Sequence, residues 1–144
     1  MTETAGDTVT IEQTVRIAAS PATVWTFWTE PARVVEWLGA AADVVADPGG
    51  VFRVELENGV AMRGEFTELD PPRRLVFTFG WEQDTPAGPL APGSTRVEVI
   101  LTPDHDHTVL VLRHHDLPVS HAAEHKKGWS YLVGERLVAV AESA

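Results

Sequence analysis

Ser20-Pro-Ala-Thr-Val-Trp-Thr-Phe-Trp-Thr-Glu-Pro-Ala-Arg-Val-Val-Glu-Trp37 opens with a helix start, carries an aromatic stripe and breaks at an internal proline. Ser20 ahead of Pro21 reads as an N-cap: its hydroxyl oxygen accepts an orphan backbone N–H, and proline costs nothing at the first helical position. Val24, Trp25 and Phe27 or Trp28 fall at helical spacing. Glu30-Pro31 interrupts them, because a residue before proline is pushed out of the α region. Ala32 to Leu38 is expected as a second short helix. Near the other end stands His125-Lys-Lys-Gly-Trp-Ser-Tyr-Leu132; four of the five tryptophans lie in these two segments, and the fifth, Trp81, ends a strand-like run. The pairing predicts a curved sheet closed by helices around an aromatic-lined interior.

Outward from these segments the pattern changes from a period near 3.6 to a period of two. Thr10–Ile17 alternates as a first strand with Ile11, Val15 and Ile17 inward. Further strands are expected at about 44–47, 51–57, 60–69, 74–81, 95–102 and 107–115. Asn58-Gly59 predicts a two-residue type I′ hairpin, since both central positions of that turn need positive φ. Residues 82–94, with three prolines and two glycines, form a long loop beside an aromatic strand end, which reads equally as a rim or lid over a binding site and as tolerated length variation. A final helix from near Ser120 to about Glu142 repeats apolar or aromatic positions every three or four residues. Gly128 and Gly134 interrupt its propensity, and Gly128 offers either a close backbone approach or a kink. No βαβ unit repeats, so the fold class is α+β, with an antiparallel sheet wrapped around the terminal helix. Residues 1–9 are expected to be flexible, and 10–144 to form one domain.

The charge balance, 21 acidic against 11 basic side chains for a formal −10, opposes binding to nucleic acid or to an anionic membrane. No apolar run reaches membrane-spanning length and no export-signal pattern precedes the first strand. Absence of cysteine excludes disulfides, thiol catalysis and thiolate metal sites. These features together favour the cytoplasm.

The order of motifs resembles the Activator of Hsp90 ATPase homologue 1-like (AHSA1-like) family of the SRPBCC, START/Bet v 1-like superfamily. The matching stretches are Ala19–Pro31, the Pro48-Gly-Gly turn, Gly64–Trp81, Leu112–Pro118 and His125–Trp129, in the expected order over about 10–141. The resemblance implies a helix-grip fold: a curved antiparallel sheet around a long C-terminal helix, with two short helices near the N-terminus. It also implies a deep cavity between sheet and helix. Relatives use such cavities for apolar molecules, and some are cyclases, hydrolases or chaperone regulators.

The candidate ligand cavity comprises Trp25, Trp28, Trp37, Phe77, Phe79, Trp81, His114, His125 and Trp129, although for each tryptophan taken singly core packing is the better reading. His114 and His125 are the candidates for acid–base chemistry, since a cavity histidine exchanges protons near neutral pH. His121 and His125, four residues apart, share a helical face, but no third ligand is fixed, so no metal and no cofactor are expected. Asp104-His-Asp-His107 reads as a solvated turn. Arg53 and Arg63 are placed toward solvent by the alternation around them. The leading expectation is binding of a small, mostly apolar metabolite. The alternatives are a cavity enzyme of cyclase, dehydratase or hydrolase type and an Hsp90-type chaperone-associated module. The expected partner is thus a small apolar or amphipathic molecule; a homodimer and a chaperone stay open, while nucleic acid and membrane are not expected.

Overall fold

Alternation of apolar and polar residues builds a single antiparallel sheet in the computed structural model, which describes residues 7–144. Its strands are β1 (Thr8–Ile17), β2 (Ala41–Val44), β3 (Val51–Glu55), β4 (Ala61–Asp70), β5 (Arg74–Phe79), β6 (Thr95–Asp104) and β7 (His107–Pro118). They lie in the order β1-β7-β6-β5-β4-β3-β2. Every neighbour after β1 is joined through a local connection; β1 alone crosses the sheet to pair with β7. Of the N-terminal stretch expected to be flexible, residues 1–6 lie outside the described residues. Thr8 and Val9 already stand in β1, opposite Pro118 and Leu117.

Helix α1 (Pro21–Thr29) starts as its sequence demands, with the Thr23 N–H donating to Ser20 Oγ at 3.2 Å. It buries Val24, Phe27 and Trp28 and ends at Glu30, which is extended before Pro31. The following α2 (Pro31–Val34) is shorter than the expected 32–38 segment, continuing only as turns to Leu38. The C-terminal helix is one rod in three parts: α3 (Val119–Tyr131), a π-helical turn (Leu132–Leu137) and α4 (Val138–Glu142). Trp129, Val133, Leu137 and Ala141 give it a buried stripe. A Cβ on Gly128 would meet no atom within 4 Å, so close backbone approach does not explain that glycine. The irregularity lies later, in the π turn that contains Gly134. No helix among the described residues is long and apolar enough to cross a membrane.

The β3–β4 connection differs from a two-residue hairpin. Leu56 N–H bonds to the Val60 carbonyl at 2.8 Å, and Gly59 N–H to the Leu56 carbonyl at 3.0 Å. Gly59 has φ 90°, whereas Asn58 is not among the residues with positive φ. The result is a three-residue loop whose last position takes the left-handed conformation, with Asn58 Oδ1 accepting the Val60 N–H at 3.1 Å. The outward face of the sheet carries an ionic ladder. Glu12 pairs with Arg113, while Glu98 accepts from His115 and Arg74, and Arg74 also reaches Glu68. The His115 hydrogen bond, then Arg74, hold the Glu98 carboxyl below its ordinary pKa.

Candidate functional site

The inner wall of the site comes from α1, β5 and α3, each presenting aromatic rings to the same space. Trp28 sits at its centre, with ring centroids 4.8 Å from Trp37, 6.2 Å from Phe77 and 6.4 Å from Trp129. Edge-on and tilted contacts at these separations are the preferred packing of aromatic quadrupoles. Trp28, Trp37, Phe77 and Phe79 are each no more than 1% exposed, and Trp129 is 3% exposed. Trp25, one position from the buried stripe of α1, is only partly buried against this core. Trp37 Nε1 donates to the Phe27 carbonyl at 2.8 Å, while the buried Trp28 indole nitrogen has no partner.

His114 on β7 lies inside this array with both ring nitrogens engaged. Trp129 Nε1–H donates to His114 Nδ1 at 3.1 Å. An indole nitrogen is only a donor, so Nδ1 is the bare nitrogen and Nε2 carries the proton. His114 Nε2–H therefore donates to Thr95 Oγ1 at 2.9 Å, and Thr95 passes its own hydroxyl proton toward the Phe79 carbonyl at 2.8 Å. This chain of donors satisfies each group once and fixes one neutral tautomer. Burial, with smaller repulsion from His125 and His115, pushes the His114 pKa down to about 3. Thr95 was not legible as a site residue in the sequence; its place opposite Phe79 in the β5–β6 register is what brings it to His114.

His125 forms a second fixed donor chain at the rim. Trp81 Nε1–H donates to His125 Nε2 at 3.0 Å, and His125 Nδ1 lies 2.8 Å from the His121 carbonyl. A carbonyl only accepts, so Nδ1 bears the proton and Nε2 accepts. Burial is the main cause lowering the His125 pKa, opposed in part by the hydrogen bond to the His121 carbonyl. His121 and His125 thus meet through a backbone carbonyl, and among the described residues no three His, Asp or Glu side chains converge to hold a metal.

Trp81 and its two chain neighbours are each held in place. Its own N–H bonds to the Leu90 carbonyl at 2.7 Å, folding the 82–94 loop back across the strand end. The loop passes so close that a Cβ on Gly80 would lie 2.0 Å from the Ala91 carbonyl oxygen. Next in sequence, Glu82 receives a two-pronged contact from Arg53, at 2.7 and 3.0 Å. That hydrogen bond is the largest influence lowering the Glu82 pKa. Arg53 and the exposed Arg63 both reach Glu82 on the outer surface, as the alternation of β3 and β4 predicted for solvent-facing side chains.

Two clefts open beside the β3–β4 hairpin. The first, about 240 Å³, is lined by Leu56, Asn58, Val60, Trp81, Gln83, Asp84, Thr85, Pro86, Glu124 and His125. The second, about 290 Å³, lies between Trp37, Leu38, Leu56, Asn58, Tyr131, Leu132 and Arg136, among others. Leu56 and Asn58 line both, so the hairpin tip stands between them. Of the nine residues expected from the sequence, Trp81 and His125 line the first cleft and Trp37 the second. Trp28, Phe77, Phe79, His114 and Trp129 instead pack ring against ring. The individual side chains that the hairpin and the 82–94 loop contribute were missed because they carry no chemical motif; Asn58-Gly59 signalled the turn but not what the turn would overhang.

A seven-stranded curved sheet, short N-terminal helices and a long C-terminal helix define a helix-grip protein. The chain belongs to the Activator of Hsp90 ATPase homolog 1-like family, whose model matches residues 18–142. Among solved structures it is similar to an AHSA1-like protein from Rhizobium etli, with 33% identity and a TM-score of 0.75, covering 99% of this chain and 87% of that one. It is also similar to a protein of the dynemicin biosynthetic locus, with 27% identity and a TM-score of 0.78 over 93% of this chain; it spans only 47% of that protein's length. An HSP90 activator from Plasmodium falciparum shares the fold, at 23% identity and a TM-score of 0.73, covering 91% of this chain and 95% of that one. No curated protein matches.

Proposed function

We propose that this chain is a cytoplasmic binding protein for a small, mostly apolar molecule, held at the junction of the β3–β4 hairpin, the 82–94 loop and α3. The observation that carries the reading is Trp81. It is a large ring left partly uncovered at the wall of a 240 Å³ cleft and locked in orientation by His125. Leu56, Val60 and Pro86 complete an apolar lining around a few polar groups, the composition expected of a ligand site. The volume is below the roughly 300–1,000 Å³ of clefts for drug-sized ligands, which suits a single-ring or short-chain molecule. Binding is favoured over turnover because His114 and His125 each spend both ring nitrogens inside the protein. Native mass spectrometry of the protein purified without added ligand, with an organic extract of the same sample, tests the proposal. A co-purifying small molecule lost from a Trp81→Ala variant is expected; an unliganded protein that takes up nothing from a metabolite extract would overturn it.

The family description favours one second reading, a module that associates with an Hsp90-type chaperone. That reading requires co-purification of such a chaperone with the chain at physiological salt, and absence of the complex would remove it.

A further inference from the structure

Beyond being apolar, the rim cleft has a charge of one sign. Its ionised lining groups are Asp84 from the long loop and Glu124 from α3; no lysine or arginine lines it. Among the described residues neither carboxylate takes part in a hydrogen bond or an ion pair, in contrast to Glu82, two residues before Asp84, which is held by Arg53 and Arg63. The one histidine at the cleft wall, His125, is biased toward its neutral form mainly by burial, and its Nε2 accepts the Trp81 N–H. The uncompensated negative charge therefore lines the same cleft as the partly buried ring of Trp81, and an indole face itself attracts cations. The protein's formal charge of −10 adds a long-range field of the same sign.

We propose that the ligand of this cleft is a small amphipathic cation: a protonated amine or quaternary ammonium attached to an aromatic ring or short apolar chain. The apolar part rests against Leu56, Val60 and Trp81, and the charged head lies between Asp84 and Glu124. An anionic ligand such as a fatty or aromatic acid would enter a like-charged cleft with no basic group to receive it. This inference rests on the binding reading above and adds the sign of the ligand's charge to it.

Three probes of nearly equal size separate the charge from the shape: 2-phenylethylamine, 2-phenylethanol and phenylacetate. Isothermal titration calorimetry of the full chain at pH 7 and low salt should rank them amine, alcohol, acid. The amine is expected to bind about five- to tenfold more tightly than the alcohol, as for a partly exposed cation near an aromatic face and two carboxylates. In the Asp84→Asn, Glu124→Gln double variant, the amine's advantage over the alcohol should fall to about twofold or less. Both side chains are exposed, so the double variant is expected to fold. Equal affinities for amine and alcohol, or tighter binding of phenylacetate, would overturn the charge assignment and leave the binding reading standing. Failure of all three to bind would overturn both.

Discussion

Trp129 on α3 donates its indole N–H to the bare Nδ1 of His114 on β7, at 3.1 Å, and so joins the helix to the sheet by a buried polar contact. Both residues are nearly inaccessible, at 3% and 0% exposure, so the bond is made away from competing water. Its partner groups form a directed chain from Trp129 through His114 and Thr95 to the Phe79 carbonyl. Removing any member leaves another buried polar group without its partner.

Trp129→Ala should cost roughly 3–5 kcal/mol, the usual range for truncating a buried tryptophan. Trp129→Phe keeps most of the packing but leaves His114 Nδ1 unbonded, and should cost about 1–3 kcal/mol. Urea unfolding of Trp129→Phe, Thr95→Val and the double variant checks the network. Non-additivity of about 0.5 kcal/mol or more is expected, since both changes act on the same ring.

The depressed pKa of His114 predicts a pH dependence with a definite sign. The unfolded chain takes up a proton on this histidine near its ordinary 6.5, while the folded protein resists doing so until about 3. Stability is thus fully present above pH 6.5 and falls as pH drops toward 3, by about 1.4 kcal/mol per pH unit for one such group. His125 acts in the same direction. Urea unfolding between pH 7 and 5 should show this slope, and His114→Asn should reduce it by close to one proton.

The architecture was legible for concrete reasons. Ser20-Pro21 fixed a helix start, and Phe77, Phe79 and Trp81, two residues apart, had to share one sheet face. What alternation cannot convey is how much space is left between faces. Trp28 within 4.8 Å of Trp37 and 6.4 Å of Trp129 depends on how three elements approach, a tertiary quantity. The tautomers of His114 and His125 were equally hidden, because their partners lie 19 and 44 residues away in Thr95 and Trp81. Asn58-Gly59 marked the right turn but misled on its type, since only Gly59 takes positive φ. The π turn at Leu132–Leu137 left no sequence signal beyond a poor helix former at Gly134.

Trp81→Phe keeps a ring at the cleft wall but withdraws the N–H that favours an unprotonated His125 Nε2. The pKa of His125 should therefore rise from its depressed position toward the ordinary value. Side-chain NMR titration of the histidines reads this directly, with His114 expected to change little.

Arg53→Ala removes the two-pronged contact that ties Glu82 to β3. Faster amide hydrogen exchange is expected in the 82–94 loop, with protection of β6 and β7 unchanged. Weaker ligand binding should accompany it, because the loop supplies Gln83, Asp84, Thr85 and Pro86 to the cleft.

The claim that the ligand site lies at the rim beside Trp81 is tested most directly by the five indole N–H resonances of ¹⁵N-labelled protein during titration with 2-phenylethanol. A saturable shift of the Trp81 resonance is predicted, with those of Trp28 and Trp129 nearly stationary. Shifts confined to Trp28 and Trp129, or none up to the solubility limit of the probe, would contradict the account.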